Sequence, residues 1–325
     1  MKNFLSFCVA TLCLYFAFNQ VNIEDIYRAL SDANMIYIFV AFIVTFVTFI
    51  LRSLRWKILL DSPKELKIQK FISTTHIGYF LNNILPFRAG DLARAKLLSS
   101  NSTNIKFSFL VGSLVAEKII DLWIIGLFSI FLILFGFNNV LGLEFSIGIL
   151  LLYIITSFII FGNNFLASKI QKQFSITKNF IDGYLLVSKN KVKLGGISIL
   201  LWCSFVAYMY TLLKSVNIDL SFQQYIGITV ITSIVTSLPI APAAIGTYHL
   251  AVIYFLNLYG IGIDQSQTAA ILLHSVFLLY CPLSGAGAGR TKINQSIKKL
   301  GANPTYVTVM GFAYLPSTRT VSYTH

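Results

Sequence analysis

The chain has few charged residues and few cysteines for its length. Asp, Glu, Lys and Arg make up 11% of its 325 residues, whereas an average soluble domain contains about 25%. This shortage of charge excludes an ordinary soluble globular domain. The four cysteines, Cys8, Cys13, Cys203 and Cys281, all lie in apolar stretches, without a CxxC pair or a His/Cys cluster. They are expected to be small core residues, not a disulfide framework or a metal site, and we expect no cofactor.

Acidic residues are also scarce, and 12 of them stand against 25 basic residues, for a net charge of +13. A strongly basic chain suggests nucleic acid as a partner. Most basic residues, however, lie in the short segments between apolar runs, which is the positive-inside pattern of membrane proteins. The distribution therefore predicts a membrane partner, with attraction to anionic lipid head groups, and no nucleic acid.

Long apolar runs dominate the chain. A helix needs roughly 20 apolar residues to cross a bilayer. The runs lie at 4–18, 35–51, 107–135, 145–161, 194–213, 225–238, 245–259 and 268–283. The first run begins after Lys2, as in a signal peptide, but no clean small-x-small cleavage site follows it. We therefore expect an uncleaved first helix, with a signal peptide as the alternative.

The basic residues also predict sidedness. Segments rich in them are 52–70 with six, 88–106 with four and 164–193 with six, whereas 136–144, 217–224 and 260–267 have none. The segments on both sides of 71–87 are basic, so both should be cytoplasmic. Those on both sides of 225–259 lack basic residues, so both should be external. Each of these two stretches must then enter and leave the membrane by the same face.

The resulting fold class is an all-α polytopic membrane protein with six spanning helices and two re-entrant helical hairpins. The spans are predicted at 4–18, 35–51, 107–135, 145–161, 194–213 and 268–284. The hairpins are predicted at 71–98, entered from the inside, and at 225–259, entered from the outside. Residues 1–290 form a single transmembrane domain, 291–325 a short cytoplasmic tail, and both termini are cytoplasmic. In the alternative topology every apolar segment simply spans.

The two hairpins share a pattern that predicts an inverted repeat. Each has an apolar helix that ends in Leu-Pro, then a break, then a glycine that opens another helix. Proline removes a backbone donor and glycine permits a sharp reversal. The predicted hinge residues are Pro86, Gly90, Pro239, Pro242 and Gly246. Related halves at 35–135 and 194–284, with broken helices of opposite orientation, are typical of transporters.

Charged residues follow the first break at a spacing of three. Arg88, Asp91 and Arg94 can meet along one side of a helix, with the carboxylate orienting the arginines. The guanidinium fork suits a phosphate, and the start of a half-helix near Gly90 would add its positive end. These residues are therefore candidate substrate ligands. The alternative is that they are interfacial side chains of a cytoplasmic loop.

Two carboxylates, Glu117 and Asp121, lie inside the 107–135 run, four residues apart on one helix face. Ionisable groups at such depth need partners, and Arg88 and Arg94 are the expected ones. We predict that these four side chains converge in one pocket at the mouth of the first hairpin. The alternative is a buried ion-pair network that only holds the hairpin in place.

Three uncharged polar residues complete the candidate substrate site. Asn83 precedes the first break, His249 follows the second break, and His274 lies in the last apolar run. A lone histidine in a membrane segment is more often a hydrogen-bonded packing residue than a proton carrier. Asn83 has the alternative role of satisfying backbone groups that the break leaves free.

The chain resembles the flippase-like family that includes the transmembrane region of lysylphosphatidylglycerol synthase. The matching stretches are 52–56 (R-x-x-R-W), 78–94 (G-Y-F-L-N-N-I-L-P-F-R-A-G-D-L-A-R), 117–121 (E-K-I-I-D), 238–249 (L-P-I-A-P-A-A-I-G-T-Y-H) and 274–285 (H-x7-P-x2-G). Three positions depart from the family pattern. Asp91 stands where Glu is usual, Lys118 where Arg is usual, and Ala243 where a glycine often follows the proline.

The resemblance implies translocation of an anionic phospholipid or a lipid-linked glycan, or a helper role in envelope lipid synthesis. It does not imply lysine transfer, because only 35 residues follow Arg290. The rival function is a membrane enzyme, or accessory subunit, of polyprenyl or glycolipid synthesis. We see no DxxD-type cluster and no nucleotide-binding domain, which disfavours catalysis. A second copy of the chain and a glycosyltransferase are candidate partners in the cytoplasmic membrane.

Overall fold

The computed structural model consists of helices in every part that it describes. It describes residues 30–61, 66–84, 88–100, 105–135, 143–161, 178–185, 191–238 and 241–286, together with 11–13, 15–17, 24 and 27. The helices are α1 (Met35–Leu59), α2 (Ile68–Ile84), α3 (Ala89–Ser100), α4 (Phe107–Leu134), α5 (Leu143–Phe161), α6 (Lys178–Leu185), α7 (Lys191–Ser215), α8 (Phe222–Ser237), α9 (Thr247–Leu258) and α10 (Ile263–Ala286). The all-helical prediction is confirmed for these residues.

Helices α1 and α7, each 25 residues long, are long and apolar enough to cross a membrane. Within the described residues they are the two that meet both conditions. Large apolar side chains point outward: Phe39 of α1 and Phe158 of α5 are 66% and 72% exposed. Polar Thr45 and Thr48 of α1 are buried instead. Soluble proteins usually bury apolar side chains and expose polar ones. The opposite arrangement here suits a helix bundle surrounded by lipid hydrocarbon.

Helix α1 is longer than the sequence predicted. Asn34 caps its start by accepting a 3.0 Å hydrogen bond from the Ile36 amide. The helix was expected to end near residue 51, with 52–70 as a cytoplasmic segment. It continues instead to Leu59, because 52–59 contains neither proline nor glycine. Arg52 and Arg55 are consequently buried inside the bundle, and that part of the loop prediction is wrong.

Helices α1 and α7 pack side by side in opposite directions. At one end the Asn34 amide donates to the carbonyl of Ser215 at 2.8 Å. Farther along, the Thr48 hydroxyl donates to Ser204 Oγ at 2.8 Å. These bonds fix the register of the pair, which carries one wall of the central cavity described below.

The first hairpin is formed by α2 and α3, which fold back on each other. A Cβ at Gly90 would clash with the Gly78 carbonyl oxygen and lie 2.6 Å from the Asn82 amide nitrogen. The predicted hinge role of Gly90 implied a left-handed dihedral. Gly90 is needed instead because the two helices pack so closely that a side chain would not fit. The left-handed residue at this break is Arg88, with φ of 54°. Pro86 lies outside the described residues.

The second break joins α8 to α9. A capping box between Ser221 and Gln224 starts α8. After α8 the chain makes a 3-10 turn at Pro242–Ala244, where Ala243 and Ala244 have φ of 52° and 57°. Gly246, with φ of 83°, then precedes α9 and uses the freedom of glycine that its predicted hinge role requires. Pro239 lies outside the described residues.

Helix α4 packs against both hairpins and against the two helices that follow it. One of these, α6, is a short helix within the 164–193 segment that the sequence assigned to the cytoplasm. It approaches α4 through Gly183, where a side chain would clash with the Phe109 carbonyl oxygen. The described pieces of the predicted 4–18 helix, 11–13 and 15–17, are helical, and the 291–325 tail lies outside the described residues.

Candidate functional site

A cavity of about 410 Å³ lies between the two helix breaks. The first hairpin contributes Asn83 and Arg88, and the turn of the second hairpin contributes Ala243 and Ala244. The remaining walls come from α1, α4, α7, α8 and α10. Hydroxyl side chains form one side, with Thr45 and Thr48 from α1 and Thr232, Ser233, Thr236 and Ser237 from α8. Aromatic and aliphatic side chains of α7 and α10 form much of the rest.

A buried ion pair fastens the first hairpin to α4. Arg94 of α3 donates to Glu117 of α4 at 2.5 Å, and these side chains are 0% and 1% exposed. Arg94 Nε also lies 3.4 Å from Asp91 Oδ1, and its guanidinium stacks 4.8 Å from the Trp56 ring centroid. Arg94 and Glu117 do not line the cavity. The sequence predicted Arg88 and Arg94 as partners of Glu117 and Asp121, and the Arg94–Glu117 contact is one of these pairings.

Asp121 has a different partner from the one expected. Arg55 of α1, which is fully buried, donates to Asp121 Oδ1 at 2.6 Å, and its Nε lies 3.7 Å from Glu117 Oε1. The Trp202 indole N–H donates to the same Asp121 oxygen at 3.3 Å. Asp121 thus pairs with Arg55 and not with Arg88 or Arg94, the two partners expected from the sequence. This happens because α1 extends past residue 51 and carries Arg55 alongside α4.

Arg88 connects the two hairpins. Its Nη1 donates to the backbone carbonyl of Thr236 near the end of α8 at 3.0 Å. Its Nε lies 3.6 Å from Asp91 Oδ2, beyond hydrogen-bond distance. The side chain is 27% exposed and lines the cavity. Pairing of Arg88 with Glu117 or Asp121, as predicted, is therefore wrong.

Asp91 makes several contacts, each longer than the shortest contacts of Glu117 and Asp121. The Asn82 amide donates to Asp91 Oδ1 at 3.4 Å, and Lys118 Nζ of α4 lies 4.0 Å from Asp91 Oδ2. Lys118 is 36% exposed and lines the cavity. Arg88 and Lys118 thus share one carboxylate at long distance. Both cations keep N–H donors available to a ligand in the cavity.

Arg52 is the second arginine that the sequence interpretation missed. It is 9% exposed, lines the cavity, and lies between two aromatic rings, 4.9 Å from the Tyr79 centroid and 5.4 Å from that of Phe205. Within the described part of the chain no carboxylate lies within 4.0 Å of its nitrogens. The signal for Arg52 and Arg55 was their spacing of three in a stretch that continues an apolar helix without a break.

The two predicted histidines meet beside the second break. The Gly246 amide donates to His249 Nδ1 at 3.3 Å, His249 Nε2 lies 3.4 Å from His274 Nδ1, and His274 Nε2 lies 2.9 Å from the Ala243 carbonyl oxygen. A carbonyl oxygen only accepts, so His274 Nε2 carries a hydrogen. In the neutral ring its Nδ1 then accepts from His249 Nε2–H. The chain of bonds starts and ends on the turn at 243–246.

The predicted substrate residues divide into two groups. Asn83, Arg88, Asp121 and His274 line the cavity, whereas Asp91, Arg94, Glu117 and His249 do not. Of the four charged side chains predicted to converge in one pocket, only Arg88 and Asp121 therefore line it. Among the described residues no group of three His, Cys, Asp or Glu side chains has the geometry to hold a metal ion.

Residues 3–285 match the family described as the lysylphosphatidylglycerol synthase TM region. The UPF0104 membrane protein MJ1078 of Methanocaldococcus jannaschii is 29% identical over 211 residues, which is 60% of this chain and 85% of that relative. The UPF0104 membrane protein PH1989 of Pyrococcus horikoshii is 20% identical over 308 residues, or 84% of this chain and 91% of that relative.

No solved structure matches the chain significantly. The family match covers most of the sequence and includes every described helix from α1 to α9. It also contains both helix breaks and all the charged residues around the cavity. The chain is therefore a membrane protein that belongs to the lysylphosphatidylglycerol synthase TM region family.

Proposed function

We propose that this protein is a flippase-like carrier that binds an anionic phospholipid or lipid-linked sugar and moves it across the cytoplasmic membrane. The supporting observation is the cavity, which combines the cationic side chains of Arg52, Arg88 and Lys118 with apolar helices. Ionisable groups inside membrane segments are costly and mark substrate pathways. The name of the family refers to the synthase of a phospholipid, which agrees with a lipid substrate.

The head group binds through its phosphate at the mouth of the first hairpin. Arg88 and Lys118 are the ligands, because their contacts to Asp91, at 3.6 and 4.0 Å, are too long to occupy their donors. Asn83 adds an amide at the same edge. The hydroxyl side chains of α1 and α8 suit the glycerol or sugar hydroxyls beyond the phosphate. Arg94 and Glu117 hold α3 in position behind these ligands.

Substrate binding changes the link between the hairpins. A phosphate oxygen that accepts from Arg88 competes with the Thr236 carbonyl, which is the present acceptor at 3.0 Å. A charged acceptor forms the stronger bond. Loss of the Arg88–Thr236 bond separates the two helix breaks, which gives a route from head-group binding to movement of the second hairpin.

The proposed architecture has six spanning helices and two re-entrant hairpins related by an inverted repeat of 35–135 and 194–284. Support comes from the two helix–break–helix units, α2–α3 and α8–α9, which meet at one cavity. Broken helices at a shared site are typical of transporters with inverted repeats. Both termini and the basic segments lie on the cytoplasmic side in this arrangement.

Reconstitution with fluorescent lipids tests the proposal. The protein is placed in liposomes, and movement of each labelled lipid is followed by dithionite quenching of the outer leaflet. Arg88→Ala should lower the rate of anionic lipid movement by about tenfold or more, as expected for a charge-assisted contact. Arg88→Lys should restore part of the rate, because the charge remains and the planar fork is lost.

Lys96→Ala is the matched control. Lys96 lies on α3 in the same hairpin, is exposed, and does not line the cavity. This variant should move lipid at the unmodified rate. An Arg88→Ala protein that inserts normally and transports as fast as the Lys96→Ala protein would overturn the assignment of Arg88.

A further inference from the structure

The cavity carries more positive charge than its own carboxylates compensate. The charge cluster comprises five cations, Arg52, Arg55, Arg88, Arg94 and Lys118, and three carboxylates, Asp91, Glu117 and Asp121. Two of the cations, Arg55 and Arg94, are fully buried and are paired with Glu117 and Asp121. The excess therefore falls on the three cations that line the cavity.

Each of these three cations is incompletely paired. Arg88 and Lys118 share the single carboxylate of Asp91 at 3.6 and 4.0 Å. Arg52, 9% exposed, has no carboxylate within 4.0 Å in the described part of the chain. The remaining cavity carboxylate, Asp121, already accepts from Arg55 and Trp202. The cavity is thus left with two positive charges that no side chain of the cluster neutralises.

The aromatic contacts of Arg52 fix its guanidinium at the cavity wall. The rings of Tyr79 and Phe205 lie 4.9 and 5.4 Å from it. Ring faces stabilise a cation without neutralising it. Asp121 interacts with Arg52 only at longer range and is already hydrogen-bonded by Arg55. Since buried cations with too little counter-charge are costly, the missing negative charge is expected to come from a ligand.

We infer that the preferred head group carries two negative charges, as a phosphate monoester or a diphosphate does, and that Arg52 is its third cationic ligand. This inference rests on the proposed lipid-binding function and narrows its substrate class. A phosphodiester head group supplies one charge and leaves the cavity positive. A zwitterionic head group has no net charge and leaves the positive excess unchanged. A lysylated head group would increase the positive excess.

Two measurements with defined probes test the inference. Calorimetry in detergent compares short-chain phosphatidic acid, a phosphate monoester, with short-chain phosphatidylglycerol, a phosphodiester. At pH 8 the monoester carries close to two charges, because its second pKa is about 6. The liposome assay then compares fluorescent phosphatidic acid, phosphatidylglycerol and phosphatidylethanolamine. Phosphatidic acid should bind and move about tenfold better than phosphatidylglycerol.

Arg52→Gln should abolish this preference, and Arg52→Lys should retain part of it. Neither variant leaves an unpaired carboxylate, so both are expected to fold, as size-exclusion chromatography would verify. Lys57→Gln is the control, since Lys57 is on the same helix and outside the cavity lining. It should bind and move both lipids like the unmodified protein.

The outcomes separate the two proposals. Equal binding and movement of phosphatidic acid and phosphatidylglycerol would overturn the dianion preference while carrier function stands. Preferential binding of phosphatidic acid without movement of any lipid would overturn carrier function while the dianion site stands. An Arg52→Gln protein that keeps the full preference would overturn the role of Arg52.

Discussion

At the scale of single residues, Glu117 holds the charge cluster together. Its two oxygens face Arg94 at 2.5 Å and Arg55 at 3.7 Å, and all three side chains are at most 1% exposed. The carboxylate thereby joins α1 and α3 to α4. Removal of one member of a buried ion pair is strongly destabilising, because the remaining charge stays buried without compensation.

Glu117→Gln should therefore lower the free energy of unfolding by about 3–5 kcal/mol. The double variant Glu117→Gln/Arg94→Met should cost less than the sum of the two single changes, because it removes both charges of the pair. Denaturant unfolding in detergent, followed by tryptophan fluorescence, measures both effects. Asp219→Asn, which breaks the exposed pair with Lys214, should leave stability unchanged. A Glu117→Gln protein as stable as this control would contradict the prediction.

At the scale of elements, the first hairpin depends on close contact between α2 and α3. A Cβ at Gly90 would overlap the Gly78 carbonyl and approach the Asn82 amide nitrogen to 2.6 Å, and backbone atoms cannot move aside cheaply. The separation of these helices sets the positions of Arg88 and Arg94. A change that disturbs the packing of the hairpin should therefore also disturb the geometry of the site.

Gly90→Ala should destabilise the protein by about 1–3 kcal/mol, as overpacking does, and should also reduce lipid movement. Gly195→Ala is the matched control, because a Cβ there meets no atom within 4 Å. In a helix interior that change should be neutral or stabilising by up to about 1 kcal/mol. Thermal unfolding of the two variants in the same detergent distinguishes them, and equal midpoints would refute the packing argument.

The second hairpin relies on side-chain hydrogen bonds to hold a strained turn. Ala243 and Ala244 adopt left-handed φ values of 52° and 57°, which cost on the order of 1–3 kcal/mol each outside glycine. The His249–His274 chain compensates by bonding the Gly246 amide at one end and the Ala243 carbonyl at the other. The stacked Tyr248 ring, 4.9 Å from His274, fixes the plane of the imidazole.

His274→Phe should loosen this turn, because the ring and its stacking remain while both hydrogen bonds are lost. His274→Gln should have a smaller effect, since the amide can still donate to the Ala243 carbonyl. Hydrogen exchange of peptides covering 241–249, read by mass spectrometry, should be fastest for His274→Phe and intermediate for His274→Gln. His76→Phe removes a histidine of α2, in the first hairpin, whose ring nitrogens lie at hydrogen-bond distance from the Ile72 carbonyl and from the Tyr280 hydroxyl of α10. This control should not change hydrogen exchange at 241–249. Faster exchange there in His76→Phe, without faster exchange in His274→Phe, would refute the prediction.

At the scale of the whole molecule, sidedness is the property that the charges predict and that labelling can measure. In a cysteine-free background, a cysteine at position 100 should be protected from a membrane-impermeant maleimide added outside, because 96–106 is predicted to be cytoplasmic. A cysteine at position 262, between α9 and α10, should be labelled readily. Strong external labelling at position 100 would eliminate the first re-entrant hairpin.

Particular residues show how far sequence analysis reached into the site. The Arg94–Glu117 pair was predictable because two buried charges of opposite sign need each other wherever the chain places them. The partner of Asp121 was not, since it depended on where α1 ends. The predicted loop at 52–70 placed Arg52, which lines the cavity, and Arg55, which is buried beside it, at the membrane surface. The helix continues through them because 52–59 contains neither proline nor glycine, and in the bundle Arg55 meets a buried carboxylate on α4 while Arg52 lies between aromatic rings of α2 and α7.

The sequence alone determined the helical class, the family and the two helix breaks, because apolar run length, charge distribution and Leu-Pro–Gly patterns are local properties of the chain. Only the tertiary structure decided which charges pair, that Arg88 joins the first break to the second, and that Arg52 faces the cavity with no carboxylate of the described residues within 4.0 Å. These outcomes depend on distances between helices far apart in sequence. Electrostatic compensation in a medium without water is a property of the assembled bundle and not of any one segment.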